Sequence, residues 1–135
     1  MSEMPHTTVW TNGCFDIIHR GHIELLKFCK SLGDRVVVGL NSDKSVRSLK
    51  GDGRPLVNQE DRKIILESIK YVDKVLIFDE ATPYNIIKSV KPDLIVKGGD
   101  YKPEEVVGND LCKVVIFDYV DGYSTSKILQ CAGDR

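Results

Sequence analysis

Short apolar runs alternate along this chain with stretches of helical periodicity. The runs suited to strands are Thr8–Thr11, Arg35–Leu40, Lys74–Phe78, Leu94–Lys97 and Lys113–Phe117. Several are continuous rather than alternating in polarity, as in Val36-Val37-Val38, which is typical of strands covered on both faces. The pattern therefore predicts five buried strands.

Helical spacing separates these strands. Leu25, Phe28, Cys29 and Leu32 recur at helical intervals, and Gly33 is a suitable stop for that helix. The other predicted helices are Asp43–Leu49, one capped by Asn58 that runs to Ile69, one that opens at Thr82-Pro83 and runs to Val90, and one capped by Ser124 over Thr125–Cys131. The segments 50–55 and 98–110 read as irregular loops.

Strands that alternate with crossover helices predict an α/β fold, a three-layer sandwich around a five-stranded parallel sheet. In such a sheet a ligand binds at the carboxyl ends of the strands, near the point where the strand order reverses. The segments to search for a site are 12–22, 40–55, 98–110 and 118–126.

Length and charge narrow the function classes. The chain has 135 residues and a formal net charge of −1, so we expect one domain over 1–135, with residues 1–6 flexible. A nearly neutral chain has no general basic field, which argues against a nucleic acid polymer as partner. We see no run of about 18 apolar residues and no signal peptide, and we expect no membrane partner.

The four cysteines indicate the redox environment of the chain. They are Cys14, Cys29, Cys112 and Cys131. They form no C-x-x-C pair, which favours free thiols and a cytoplasmic location.

The first strand-to-helix junction carries the strongest chemical signal. Here the motif His19-Arg20-Gly21-His22 opens a helix just after the glycine turn at Gly13. Free N–H groups and the positive dipole end at a helix start suit a phosphate. Two imidazoles beside them can donate hydrogen bonds to phosphate oxygens as charge develops. We therefore interpret the motif as catalytic rather than as two surface histidines.

Gly13, Phe15-Asp16 and the H-x-G-H motif together resemble the signature of the cytidylyltransferase-like nucleotidyltransferases. The resemblance runs from about Thr8 to Leu129. It implies a Rossmann-like fold and the transfer of a nucleoside monophosphate from a nucleoside triphosphate to a phosphate acceptor. It also implies Mg²⁺ bound with the triphosphate, and a homodimer.

Two later segments, Lys50-Gly51-Asp52 and Val96–Glu105, resemble the adenylyltransferase domain of bacterial ADP-heptose synthesis enzymes. That branch uses ATP and D-glycero-β-D-manno-heptose 1-phosphate. In bacteria the domain is often fused to a sugar kinase, and we expect the present chain to be a stand-alone form. The alternative branch is glycerol-3-phosphate cytidylyltransferase, which uses CTP and usually carries an arginine where this chain has Tyr119. A third hypothesis is a nucleotide-binding regulatory module without turnover, which the paired histidines argue against.

The predicted site residues fall into three groups. The catalytic group is His19, His22 and Lys50. The nucleotide-binding group is Asn12, Gly13, Cys14, Phe15, Gly21, Arg62, Gly98, Asp100, Ser124, Thr125 and Ser126. The substrate-binding group is Asp16, Asn41, Lys50 and Lys97, and no side chains are assigned to a metal. Four assignments compete with structural roles. Arg62 could pair with Glu60 or Asp61, and Ser124 could simply cap a helix. Lys50 could be an ordinary residue of a solvated loop, and the Cys14 side chain is interpreted as a filler beside the active turn.

Overall fold

The computed structural model of the protein describes residues 6–99 and 101–118. Its five strands form a parallel sheet in the order β3-β2-β1-β4-β5. Their bounds are Thr8–Gly13 for β1, Arg35–Asn41 for β2, Lys74–Phe78 for β3, Leu94–Gly98 for β4 and Lys113–Phe117 for β5. The predicted α/β fold with a five-stranded parallel sheet is confirmed.

Helices connect the first four strands as the periodicity predicts. They are α1 at Arg20–Leu32, α2 at Asp43–Lys50, α3 at Gln59–Glu67 and α4 at Tyr84–Val90. The segment between β4 and β5, predicted as an irregular loop, contains a 3₁₀ turn at Pro103–Glu105. Asn58 caps α3 by accepting a hydrogen bond from the Asp61 amide, as predicted, although the helix ends two residues before Ile69. The predicted Thr82 cap is wrong: α4 begins at Tyr84 with Pro83 at the N-cap and without a side-chain cap. The helix predicted over Thr125–Cys131 lies outside the described residues.

Both faces of the sheet are covered by apolar side chains. Successive residues of a strand point to opposite faces, so neighbours on one strand belong to different clusters. On β1, Val9 belongs to a cluster with Leu25 and Leu26 of α1. The next residue, Trp10, belongs to a second cluster with Ile87 of α4 and Ile95 of β4. This arrangement accounts for the continuous apolar runs in the sequence.

The central strand is paired unequally with its two neighbours. All six residues of β1 pair with β2, from Thr8 to Gly13. Pairing of β1 with β4 is confined to Val9 with Leu94 and Trp10 with Ile95. A gap therefore lies between the carboxyl ends of β1 and β4, where the strand order reverses, and ligands bind at such a point in open α/β sheets.

None of the helices in the described part of the chain combines the length and the apolar character needed to cross a bilayer.

Candidate active site

A cleft of about 560 Å³ lies at the carboxyl ends of the strands. Many predicted site residues line it: Asn12, Gly13, Cys14, Phe15, Asp16, His22, Asn41, Lys50 and Lys97. They come from the end of β1, the turn after it and the first turn of α1, and from the ends of β2, α2 and β4. Residues distant in sequence thus meet at the expected edge of the sheet.

The turn between β1 and α1 is held by its two histidines. His19 is the N-cap of α1, and its Nδ1 accepts a hydrogen bond from the Gly21 amide at 3.0 Å. In return, Nδ1 of His22 accepts from the His19 amide at 3.3 Å. The two side chains therefore form a reciprocal capping box, in which histidines replace the usual serine and glutamate.

This hydrogen bonding determines which nitrogen of His22 carries the proton. A neutral imidazole has one donor and one acceptor nitrogen, and Nδ1 is the acceptor here. Burial lowers the pKa of His22 to about 4, with help from the nearby His19 and the positive charge of Lys50. At neutral pH His22 is therefore uncharged, with its proton on Nε2.

His19 lies against His22 and not on the cleft wall. The two rings stack with their centroids 3.9 Å apart, and Phe15 packs against His22 on another side at 5.1 Å. Burial also lowers the pKa of His19. The two histidines of the motif therefore have different positions. His22 lines the cleft, while His19 caps the helix and stacks against the His22 ring.

Two lysines give the cleft a positive potential. Lys50 is the exposed last residue of α2, and Lys97 is a half-buried residue of β4. Burial lowers the pKa of Lys97, and its Nζ lies 4.8 Å from the centroid of the Tyr101 ring. Within residues 6–99 and 101–118 neither lysine forms a salt bridge. Both ammonium groups are therefore placed to attract an anion.

Arg62 does not have the phosphate-binding position that we expected. Its side chain is fully buried and donates to the carbonyl oxygens of Val57, Cys14 and Asn41 and to the Asp43 carboxylate, at 2.7–2.8 Å. A guanidinium with these four hydrogen bonds and no exposed surface has no room for a phosphate. The prediction is corrected: Arg62 ties α3 to the ends of β1 and β2.

Asp16 also has a structural role in place of the expected substrate contact. Its buried carboxylate accepts hydrogen bonds from the amides of Leu56 and Val57 and from Nε of Arg54, at 2.8–3.0 Å. Burial alone would raise the pKa of Asp16, but these hydrogen bonds and the Arg54 charge hold it below its usual value. Both oxygens are occupied, so Asp16 anchors the loop that follows α2 to the histidine turn.

Two asparagines and a cysteine complete the predicted part of the wall. Nδ2 of Asn41 donates to Oγ of Ser45 at 2.9 Å, whereas Oδ1 of Asn12 accepts from the Trp10 indole. Burial raises the pKa of Cys14 despite the nearby positive charges. Cys14 is therefore a protonated thiol at neutral pH, which agrees with its interpretation as a filler beside the active turn.

Other predicted residues lie beside the cleft or outside the described chain. His19, Gly21, Arg62 and Gly98 are not among the lining residues. Asp100, Ser124, Thr125 and Ser126 lie outside the described residues.

The predicted site residues did not include nine further residues that line the cleft. They are Leu49, Arg54, Ala81, Thr82, Pro83, Tyr101, Glu105, Val106 and Val107. Only Ala81–Pro83 lies outside the segments that the sequence marked for search. This segment follows β3, and the carboxyl ends of parallel strands share one edge of the sheet, so it could have been added to the search.

The cleft offers few ligands for a metal ion. Over residues 6–99 and 101–118, no three His, Cys, Asp or Glu side chains gather into a possible metal site. Its lining carboxylates in this range are Asp16, which is occupied as described, and Glu105, which accepts from the Lys102 amide at 2.8 Å. This donor set fits Mg²⁺ only if the ion arrives with most of its ligands, since Mg²⁺ retains water and phosphate oxygens readily.

Comparison with known proteins adds independent information. The family model for cytidylyltransferase-like proteins matches residues 10–130. The chain is 56% identical over 123 residues to the bifunctional protein HldE of a Nitratiruptor species, and 52% identical over 123 residues to that of Wolinella succinogenes. These matches cover 90% of this chain and 27% and 26% of the relatives. The chain thus spans about a quarter of their length.

Solved structures share the fold. The lipopolysaccharide core biosynthesis protein of Thermoplasma volcanium superposes with a TM-score of 0.75 at 29% identity, over 87% of this chain and 100% of that one. A bifunctional NMN adenylyltransferase/ADP ribose pyrophosphatase of Francisella tularensis gives 0.65 at 17% identity, over 94% of this chain and 41% of that one. The second likeness concerns the fold alone. From the family match, the near relatives and the H-x-G-H turn at the strand ends, we conclude that this chain belongs to the cytidylyltransferase-like family.

Proposed function

We propose that this chain is an adenylyltransferase that transfers AMP from ATP to a sugar 1-phosphate and releases pyrophosphate. The proposed acceptor is D-glycero-β-D-manno-heptose 1-phosphate. The choice of acceptor rests on the resemblance of Lys50–Asp52 and Val96–Glu105 to the ADP-heptose branch. Relatives named HldE at 48–56% identity support it.

One observation carries the proposal: the neutral His22 that lines the cleft between β1 and β4. Its Nε2–H is a donor at neutral pH, because Nδ1 already accepts from the backbone. A neutral imidazole in this tautomer can donate a hydrogen bond to a phosphate oxygen without first taking up a second proton. Lys50 and Lys97 line the same cleft, and their charges favour the same anionic ligand.

The proposed reaction needs no protein nucleophile. An oxygen of the acceptor phosphate forms a bond to the α-phosphorus of ATP. The bond from that phosphorus to the bridging oxygen of the β-phosphate breaks, and pyrophosphate leaves with the electron pair. Both acceptor oxygen and leaving group are already ionised, so catalysis reduces to alignment and to stabilisation of the charge on the α-phosphoryl oxygens.

Each residue of the cleft has a part in that scheme. His22 donates to a phosphoryl oxygen, and the backbone of Gly13 lets the nucleotide approach closely. Lys50 and Lys97 hold the triphosphate and the acceptor phosphate. Mg²⁺, when bound with ATP, supplies further charge neutralisation on the phosphate oxygens. The proposal also includes a homodimer in the cytoplasm, where ATP is available; light scattering after size-exclusion chromatography tests the dimer.

The test is a panel of initial-rate assays for pyrophosphate. ATP and CTP are each combined with heptose 1-phosphate, with glycerol 3-phosphate and with no acceptor, in Mg²⁺ buffer, and the products are identified by mass. We expect ADP-heptose, with ATP preferred by a factor of up to roughly 10⁴, since a base can be rejected through an unmade hydrogen bond.

Each other outcome of the panel has a defined meaning. Faster turnover of CTP would replace the proposal with the cytidylyltransferase alternative. Nucleotide binding without pyrophosphate release under any combination would identify a non-catalytic binding module. Pyrophosphate release that does not depend on an acceptor would indicate hydrolysis.

A further inference from the structure

Trp10 is buried next to the cleft and carries a polar group that points along its strand. Its side chain has no exposed surface, yet its indole Nε1 donates a hydrogen bond to Oδ1 of Asn12 at 2.9 Å. Asn12 is two residues farther along β1, so both side chains leave the same face of the sheet. The central strand thus links a core residue to a residue that lines the cleft.

The hydrogen bond fixes the orientation of the Asn12 amide. An indole N–H is a donor only, so it must face the oxygen of the amide and not its nitrogen. Nδ2 of Asn12 is therefore turned away from Trp10. Over residues 6–99 and 101–118, Nδ2 of Asn12 donates to no protein acceptor. It is also not a buried atom without a hydrogen-bond partner, so a ligand can reach it. Its two hydrogens are available to a ligand in the cleft.

A glycine on the neighbouring strand makes room for this arrangement. Gly39 of β2 pairs with Asn12 in the sheet. A Cβ added at Gly39 would lie 2.3 Å from Cζ2 and 2.4 Å from Cη2 of Trp10, and 3.2 Å from Cβ of Asn12. The indole therefore lies over the backbone of Gly39. Packing against Gly39 fixes the position of the Trp10 indole, and the indole N–H in turn fixes the orientation of the Asn12 amide.

We propose that Trp10 is a positioning residue that fixes Asn12 so that the Asn12 Nδ2–H₂ group donates to an anionic oxygen of the nucleotide triphosphate. This inference rests on the proposed function. Asn12 contacts the ligand, and Trp10 acts through Asn12. A free asparagine side chain would sample other rotamers and both amide orientations. A small misplacement of a catalytic donor is costly, because positioning supplies a large part of the rate.

The central experiment compares Trp10→Phe with a packing control. Phenylalanine keeps an aromatic ring but has no N–H, whereas Ile87→Val shortens a residue of the same hydrophobic cluster without touching Asn12. We expect Trp10→Phe to lower kcat/KM for ATP by about tenfold to a hundredfold. Ile87→Val should stay within about twofold of the wild type. Equal effects of the two variants would overturn the proposal.

A double-mutant cycle tests whether Trp10 acts through Asn12. Residues that act as a unit show strongly non-additive effects. Asn12→Ala should lower kcat/KM at least as much as Trp10→Phe, and the double variant should resemble Asn12→Ala within about twofold. Effects that multiply would show that Trp10 acts by another route, and the proposal would fail.

The single tryptophan gives a readout independent of turnover. Trp10 is the one tryptophan of the chain, so a ¹⁵N-labelled sample has one indole N–H resonance. We expect that resonance to move upfield in Asn12→Ala, and to shift in the wild type when ATP is added. An indole resonance that responds to neither change overturns the inference. A wild type that releases no pyrophosphate overturns the proposed function, and the ATP titration then decides the inference alone.

Discussion

The two histidines of the H-x-G-H turn have the same side chain and opposite tasks. His19 uses its Nδ1 at the start of α1, and its ring supports its neighbour. His22 uses Nδ1 for the same cap and lines the cleft. The motif thus supports itself: backbone amides of Gly21 and His19 donate to Nδ1 of His19 and His22, and the two rings stack on each other.

His22→Ala should lower kcat by roughly 100- to 1000-fold, the usual cost of removing one transition-state hydrogen-bond donor. His6→Ala is the matched control, since His6 is exposed and remote from the lining residues. Pyrophosphate release at saturating substrate measures both variants, and circular dichroism verifies folding. A loss below about tenfold in a folded His22→Ala protein would contradict a catalytic role.

Lys50→Ala should reduce turnover while changing the free energy of unfolding by no more than about 0.5 kcal/mol, as is usual for an exposed residue. Lys44 offers the control, because it is an exposed lysine of the same helix that does not line the cleft. Steady-state kinetics and urea unfolding of Lys50→Ala and Lys44→Ala make the comparison. If the two variants had the same kcat/KM, Lys50 would be an ordinary surface charge.

A charged residue that lies near the predicted site in the sequence does not necessarily contact the ligand. Arg62 and Asp16 were both assigned to ligands, and both are bonded to the protein. Their partners are remote in sequence: Arg62 reaches Cys14, and Asp16 reaches Leu56 and Val57. Such pairings depend on the folded chain and leave no local signal. His22 and Lys97 could be placed at the cleft because each lies at the end of a predicted strand or the start of a predicted helix.

At the scale of elements, the loop after α2 is held to the histidine turn by the side chain of Asp16. Gly51 and Gly53 have positive φ angles of 94° and 88°, and a Cβ added to either would meet nothing within 4 Å. The loop therefore gains little from its own packing at these positions. Asp16 supplies an attachment from the histidine turn through Arg54, Leu56 and Val57.

Asp16→Asn should lower the free energy of unfolding by about 1–3 kcal/mol, because a neutral amide loses the charge-assisted bonds and turns a donor toward other donors. Asp52→Asn is the control, since Asp52 is an exposed aspartate of the same loop. Urea unfolding measures stability, and hydrogen exchange of the Leu56 and Val57 amides reports the attachment directly. Unchanged protection of those two amides would refute the anchoring role.

Strands were easier to predict than helix ends. Buried parallel strands are continuous apolar runs, and β3 and β5 match their predicted bounds residue for residue. A helix end depends on the local cap geometry. Pro83 has φ −84° and ψ 14°, so it stands at the N-cap and not in the first turn. The preceding Thr82 lies on the cleft wall instead.

For the whole molecule, burial of a titratable group links the site to overall stability. His22 has a pKa of about 4 in the fold, against 6.5 for an unperturbed histidine. Between these values the unfolded chain binds a proton that the folded chain excludes. The free energy of unfolding should therefore decrease as the pH falls from 6.5 to 4, and this contribution should not vary above pH 6.5. Asp16 and Asp73 have lowered pKa values, and their contributions are lost only below about pH 3.8.

Urea unfolding at about pH 7.5 and about pH 5 tests this linkage. The decrease in stability between the two values should be smaller in His22→Gln than in the wild type. It should not vanish, because the pKa of His19 is lowered by burial in the same direction. Equal decreases in the two proteins would mean that His22 is not neutral in the fold.

The short pairing between β1 and β4 has a consequence for the stiffness of the sheet. The sheet consists of two ribbons, β3-β2-β1 and β4-β5, joined at Val9 and Trp10. Beyond that seam the two ribbons present Asn12 and Lys97 to the same cleft. A ligand held by both residues, as proposed, would connect the two ribbons beyond the end of the β1–β4 pairing. Bound substrate should therefore stiffen the sheet beside the cleft.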